Sequence, residues 1–245
     1  MRSGNPALHA DTFTRVPALP GAQQMTLGGT VNKTAMLLAL TLITAVYTWG
    51  VYQQTKDPAS VQGLMLLGAI GGFVVALITV FKAQAAPYTA PIYALLEGLF
   101  LGGVSAIFEA RFQGIVVQAV GLTFGTLFCL LAAYRSGLIK ATENFKLGVF
   151  AATGGIALLY LVNIVLAMFG RPIGFIHESG TAGILFSGFV VVIAALNLVL
   201  DFDFIERGAE QGAPKYMEWY GAFGLLVTLI WLYLEILRLL GKSRD

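Results

Sequence analysis

Hydrophobic positions fall into seven long runs, roughly 34–52, 61–81, 88–108, 113–134, 147–169, 181–204 and 217–240, separated by short polar stretches. Runs of 19 to 24 residues correspond, at 1.5 Å rise per residue, to helices of about 29–36 Å, the thickness of a bilayer's hydrocarbon core. The runs cover 154 residues and hold six of the 28 charged side chains: Glu97, Asp201, Asp203, Glu218, Glu235 and Arg238. The pattern predicts an all-α polytopic membrane protein, a seven-transmembrane-helix bundle over 34–240. A flexible N-terminal tail is expected over 1–33 and a short C-terminal tail over 241–245.

Composition agrees with the pattern. Of 245 residues 57% are hydrophobic and 11% charged, and mean hydropathy is +0.79, whereas soluble domains carry about 25% charged residues. A water-soluble enzyme and a disordered chain are excluded, and no length remains for a separate catalytic domain. The net charge is +2 with no long basic run, so nucleic acid is not an expected partner. The lone Cys129 excludes an intramolecular disulfide and a multi-cysteine zinc site, and reads as a small packing residue. His9 lies in the tail and His177 in a loop, so no span carries a histidine relay, and any response to pH falls to carboxylates. The tail lacks the apolar core and cleavage site of a secretory signal, so the first helix is expected to stay as a span. No cofactor motif is present, since no glycine-rich turn follows a predicted strand.

Orientation follows from the cations flanking the spans. With the N-terminus in the cytoplasm, the inner segments hold nine (Arg2, Arg15, Lys33, Lys82, Arg135, Lys140, Lys146, Arg207, Lys215) and the outer ones six (Lys56, Arg111, Arg171, Arg238, Lys242, Arg244). The positive-inside rule favours the N-terminus inside. The C-terminal cations oppose it, a conflict that six spans plus a re-entrant segment would remove.

Membrane helices associate through small residues that let backbones approach. Such stripes are Gly68, Gly72 and Ala76 in the second run, Gly98, Gly102 and Ser105 in the third, and Gly121, Gly125 and Cys129 in the fourth. In the sixth run Gly183, Ser187, Ala194, Asn197 and Asp201 fall near one azimuth, a small and polar stripe ending in a carboxylate that should face protein. Glu97 is the deepest acid, ten residues into its run, and reads either as functional or as a hydrogen-bonded structural acid. Asp203 points to another side of the helix and reads as interfacial. Glu206 and Glu218 bracket the last loop and read as solvated. Glu235 and Arg238, three apart, are spaced to pair on one helix face, and Asn163 is expected to hydrogen-bond between helices.

The segment Leu200-Asp201-Phe202-Asp203-Phe204-Ile205, closing the sixth run before a charged loop, resembles the aspartate-bearing end of the sixth helix of the Bax inhibitor-1 (transmembrane Bax inhibitor motif) family, its YccA-like bacterial branch included. The stretch from Ala90 to Gly103 is similar to that family's glycine-rich third span, and Trp231 to Leu240 to its last helix. The resemblance extends over nearly the whole chain after about residue 30, and it lies in the order and placement of the motifs. It implies a helical bundle of Bax inhibitor-1 type with the last span near the centre, in a bacterial cytoplasmic membrane. It also implies a pH-sensitive calcium leak in which aspartates on the sixth and seventh spans set the gate. Asp201 matches the first aspartate. Ungapped alignment puts Thr228 at the second, and a shifted register would offer Glu235, near the wrong end of the span. One carboxylate beside a threonine titrates singly, unlike a coupled pair. If Asp201 keeps an acidic partner, Glu97 is the first candidate and Asp203 the second.

Two functions are therefore carried. The first is a cation leak with calcium as the permeant ion, Asp201, Glu97 and Thr228 supplying oxygen ligands that hard divalent ions prefer, and Asp201, Glu97, Asp203 and Thr228 forming the gate. The second is a membrane scaffold or stress regulator that binds other membrane proteins and conducts nothing. An enzyme is not expected: the spans hold no nucleophile with a base and no metal cluster. A secondary transporter lacks support from any internal repeat. The bilayer is the one partner the sequence requires; oligomeric state is open.

Overall fold

The computed structural model describes residues 24–171, 173–174 and 180–245; His9, His177 and most of the N-terminal tail lie outside the described residues. Among these it forms seven helices long and apolar enough to cross a membrane, and no strand. They are α1 (Leu27–Thr55), α2 (Ala59–Phe81), α3 (Ala86–Arg111, entered through a 3-10 turn at Ala83–Ala85), α4 (Ile115–Arg135), α5 (Glu143–Met168), α6 (Thr181–Glu210) and α7 (Met217–Lys242).

Helix ends depart from the hydropathy boundaries where local chemistry governs them. Residues 27–33, expected within the flexible tail, are helical, because extended Thr26 caps α1 by accepting from Gly29 N at 3.0 Å, and a capping side chain starts a helix whatever its hydropathy. At the other end α6 runs on to Glu210 instead of stopping at 204. Gly212, at φ 65, ends it with paired bonds from Ala213 N to Gly208 O and from Gly212 N to Ala209 O, an arrangement that needs a left-handed residue.

The chain divides into two compact units. The first holds described residues 24–113 and 204–227. In it α3 packs between α1 and α2, and glycines set the approach on both sides. A Cβ on Gly98 or Gly102 would run into the backbone carbonyls of Thr41 and Ala45 on α1, and one on Gly68 of α2 would meet Leu96 O and Phe100 N of α3. Thr44 Oγ1 donates to Leu95 O at 2.8 Å across the α1–α3 contact, and Tyr52, Val61 and Ala106 form an apolar cluster with Trp49 and Met65. The stripes expected in the second and third runs are thus packing devices.

The second unit holds 114–203 and 228–245. Here α5, α6 and the latter part of α7 meet around Ile156, Val190 and Ile193, with Tyr160, Phe186 and Trp231 against them. The fourth-run stripe does not pack as expected. Among the described residues no atom lies within 4 Å of where a Cβ on Gly121 or Gly125 would stand, and Cys129 is exposed. The buried line of α4 is Ile115, Ala119 and Thr123, and residues two positions off that line turn about 200° away from it. The C-terminal cations are engaged: Arg238 Nη1 binds Glu235 at 2.8 Å and Tyr160 Oη at 2.9 Å, Lys242 Nζ binds Ser187 Oγ at 3.0 Å and Gly183 O at 3.2 Å, and Arg244 Nη2 binds Gln118 Oε1 at 2.7 Å. The Glu235–Arg238 pair is thus formed as the spacing predicts.

Candidate functional site

The polar stripe of α6 is buried along its length: Gly183, Ser187, Ala194, Asn197 and Asp201 are all covered by protein. Asp201 is 0% exposed. Because α6 continues past it, this carboxyl sits nine residues inside a regular helix, about 13 Å from its end. Its neighbours along the helix, Leu198, Val199, Leu200 and Phe202, are buried hydrophobics. Thr228 of α7 is 3% exposed and belongs to the same unit as Asp201.

One turn before Asp201, Asn197 is fixed by two hydrogen bonds. Its Nδ2 donates to Ile193 O on its own helix and to Thr153 Oγ1 on α5, both at 2.8 Å. The carbonyl of Ile193 can only accept, which assigns the nitrogen to that side of the amide. The amide oxygen is buried without a hydrogen-bond partner among the described residues.

Asp203 faces elsewhere. It pairs with Lys146 Nζ at 2.8 Å, the lysine being 5% exposed at its side chain and the aspartate 14%; Lys146 also reaches Glu143 at 3.4 Å. The interfacial acid is thus a structural anchor between the first turn of α5 and α6.

Glu97 belongs to the other unit. Tyr93, one turn earlier on α3, hydrogen-bonds to its carboxylate, and the Tyr93 ring sits edge-on to Phe223, centroids 5.0 Å apart. Gly72 of α2 makes room for this carboxylate: a Cβ there would lie 2.8 Å from Glu97 Oε1. Asn163 accepts from Ile173 N at 2.8 Å, holding the chain that leaves α5.

Glu218 overturns an expectation. Read as a solvated loop acid, its side chain is fully buried. It accepts from Thr26 N at 2.9 Å, from Thr26 Oγ1 at 2.8 Å and from Lys215 Nζ at 2.7 Å, and it pairs with Lys33. Lys33 also lies over the Trp219 ring, 5.5 Å from its centroid. Met25 N donates to Ala213 O at 2.6 Å beside this cluster, so the start of α1 is stitched to the turn before α7. The partners lie 185 and 192 residues away in sequence, beyond any local pattern.

Among the described residues no three His, Cys, Asp or Glu side chains converge as a metal cluster. What α6 offers instead is one buried carboxyl and neutral oxygens, a donor set that suits passing contact with a hard cation better than tight chelation.

Seven apolar helices carrying buried carboxyl groups define an integral membrane protein of the polytopic helical class. The sequence model of the family described as Bax inhibitor 1 like matches residues 5–245. The chain belongs to that family. No curated protein and no solved structure gives a match.

Proposed function

We propose that this protein is a pH-sensitive cation leak, with calcium as the permeant ion, gated by protonation of Asp201. The observation that carries the reading is a carboxyl group with 0% exposure inside a transmembrane helix. An ionised carboxylate at midspan costs about 2.5–3.5 kcal/mol on insertion scales unless water, a cation or a partner group answers it. The two protonation states of Asp201 thus ask for different surroundings, and a helix packing that differs between them responds to pH. Protonation of Asp201 shifts the helix equilibrium in this reading, and Thr228 of α7, buried in the same unit, stands where the resemblance places the family's second aspartate. With one aspartate in place of two, the pH response is shallow, following a single titration.

Glu97, held by Tyr93 and given space by Gly72, is the first candidate for a further acid in this reading and Asp203, anchored to Lys146, the second; the single-site response requires that neither titrates together with Asp201. The protein works as a conductor and not as an enzyme, without a resident cofactor, in a bacterial cytoplasmic membrane with its N-terminus in the cytoplasm. Calcium-dye flux in proteoliposomes tests the reading: the wild type responds to pH and Asp201→Asn does not. Absence of flux from folded wild-type protein at every pH would favour a scaffold that binds other membrane proteins.

A further inference from the structure

Buried polar groups are nearly always satisfied, and each exception calls for an explanation. Asn197, 1% exposed, has its amide nitrogen fully used by Ile193 O and Thr153 Oγ1, while its amide oxygen, a hard acceptor, has no hydrogen-bond partner among the described residues. The two bonds fix the plane of the amide, so the oxygen is aimed and cannot rotate to meet a donor without breaking both. Asp201 follows four residues later on the same face of α6, a separation that brings Cβ atoms to about 5–6 Å. An oriented neutral oxygen one turn from a buried carboxyl, with buried Leu198, Val199 and Leu200 between the two along α6, is a ligand position for a hard cation or its hydration water.

We propose that Asn197 is a cation-coordinating residue of this protein: its amide oxygen replaces one water of a passing calcium ion, and Thr153 is the positioning residue that holds the amide in the coordinating orientation. The proposal deepens the leak reading, and its transport arm rests on that reading. Its binding arm does not.

The test uses full-length protein in two measurements: calcium flux into proteoliposomes and the calcium-induced rise in apparent melting temperature of the detergent-purified protein, calcium alone being the probe. Asn197→Leu keeps the shape and removes the oxygen. Calcium flux is expected to fall at least about tenfold, and the calcium-induced stabilisation to vanish, as befits loss of one charge-assisted contact. Asn197→Asp retains an oxygen there and is expected to stay within about threefold of wild type in calcium flux. Thr153→Val, which frees the amide to turn, is expected to fall between the two. Should Asn197→Leu fail to fold, the comparison of Asn197→Asp with Thr153→Val carries the same contrast.

Wild-type flux that is unchanged in Asn197→Leu and Thr153→Val, with calcium stabilisation also unchanged, overturns the ligand role and leaves the leak intact. Calcium stabilisation that depends on Asn197, in a wild type that conducts at no pH, overturns the leak and keeps the ligand. Variants that merely melt earlier, with calcium stabilisation and flux per folded protein preserved, reduce Asn197 to a structural amide and overturn the proposal.

Discussion

Replacing Glu218 with alanine removes the acceptor for four donors at once, and the cost can be worked from their surroundings. Lys33, 17% exposed at its side chain, loses a largely desolvated charge partner, and hydrogen bonds to charged groups are worth about 1.5–3 kcal/mol. Lys215 is 43% exposed and contributes at most about 1 kcal/mol, as surface pairs do. The Thr26 amide and hydroxyl, part-buried, add about 0.5–1.5 kcal/mol each. Together these come to about 2.5–7 kcal/mol, a range that brackets the roughly 3–5 kcal/mol that breaking one side of a buried ion pair costs, and the latter is taken as the expected loss. At roughly 2–4 °C per kcal/mol for a chain of this length, the apparent melting temperature in detergent should fall by roughly 6–20 °C. Glu218→Gln keeps an acceptor for Thr26 and loses only the charge, so its loss should be about half as large. Proteolysis should then reach the segment around Thr26 first, because Met25 N and Thr26 are what attach it to the turn before α7. A Glu218→Ala protein that melts within about 1 °C of wild type would refute the burial and the pairing together.

Other outcomes follow from the same kind of contact. Lys146→Met takes away the buried ammonium that pairs with Asp203, so it should destabilise by about 2–4 kcal/mol, while the double variant Lys146→Met/Asp203→Leu should recover most of that; an additive double variant in thermal denaturation would contradict the pair. Gly102→Ala forces a methyl into Ala45 O and should abolish folded yield on size-exclusion chromatography, whereas Gly125→Ala meets open space and should be neutral or slightly stabilising through helix propensity. Arg238→Met leaves Glu235, 2% exposed, with Tyr160 Oη as its remaining hydrogen-bond partner among the described residues. A loss of about 2–4 kcal/mol is expected, with Glu235→Gln in the same background restoring part of it in a melting series.

The seven helices were legible because apolar length alone separates a span from a loop. The polar face of α6 was legible too, since residues at helical spacing share an azimuth, and every member of that stripe, from Gly183 to Asp201, is buried. Spacing does not say which face finds a neighbour. Gly121, Gly125 and Cys129 repeat every four residues as Gly98 and Gly102 do, yet they are uncovered, because α4 presents Ile115, Ala119 and Thr123 instead. The Glu218 cluster was illegible for a different reason: its partners Thr26 and Lys33 are distant in sequence, and a glutamate beside a polar loop carries no local mark of burial. The start of α1 was misplaced because hydropathy is blind to a threonine cap. Asn197 was visible as a stripe residue, but the orientation of its amide depends on Thr153, 44 residues earlier on α5.

The most direct test is calcium-dye flux in proteoliposomes at matched protein density, from about pH 5 to about pH 8, a window wide enough for a displaced carboxyl group. Wild type, Asp201→Asn, Glu97→Gln and Thr228→Asp are compared. The leak reading requires wild-type flux that changes with pH along a shallow, single-site curve, loss of that dependence in Asp201→Asn, and a steeper response in Thr228→Asp, where two carboxyl groups would couple. Flux no higher than that of empty liposomes from four folded proteins, or a pH response unchanged in Asp201→Asn, would contradict it.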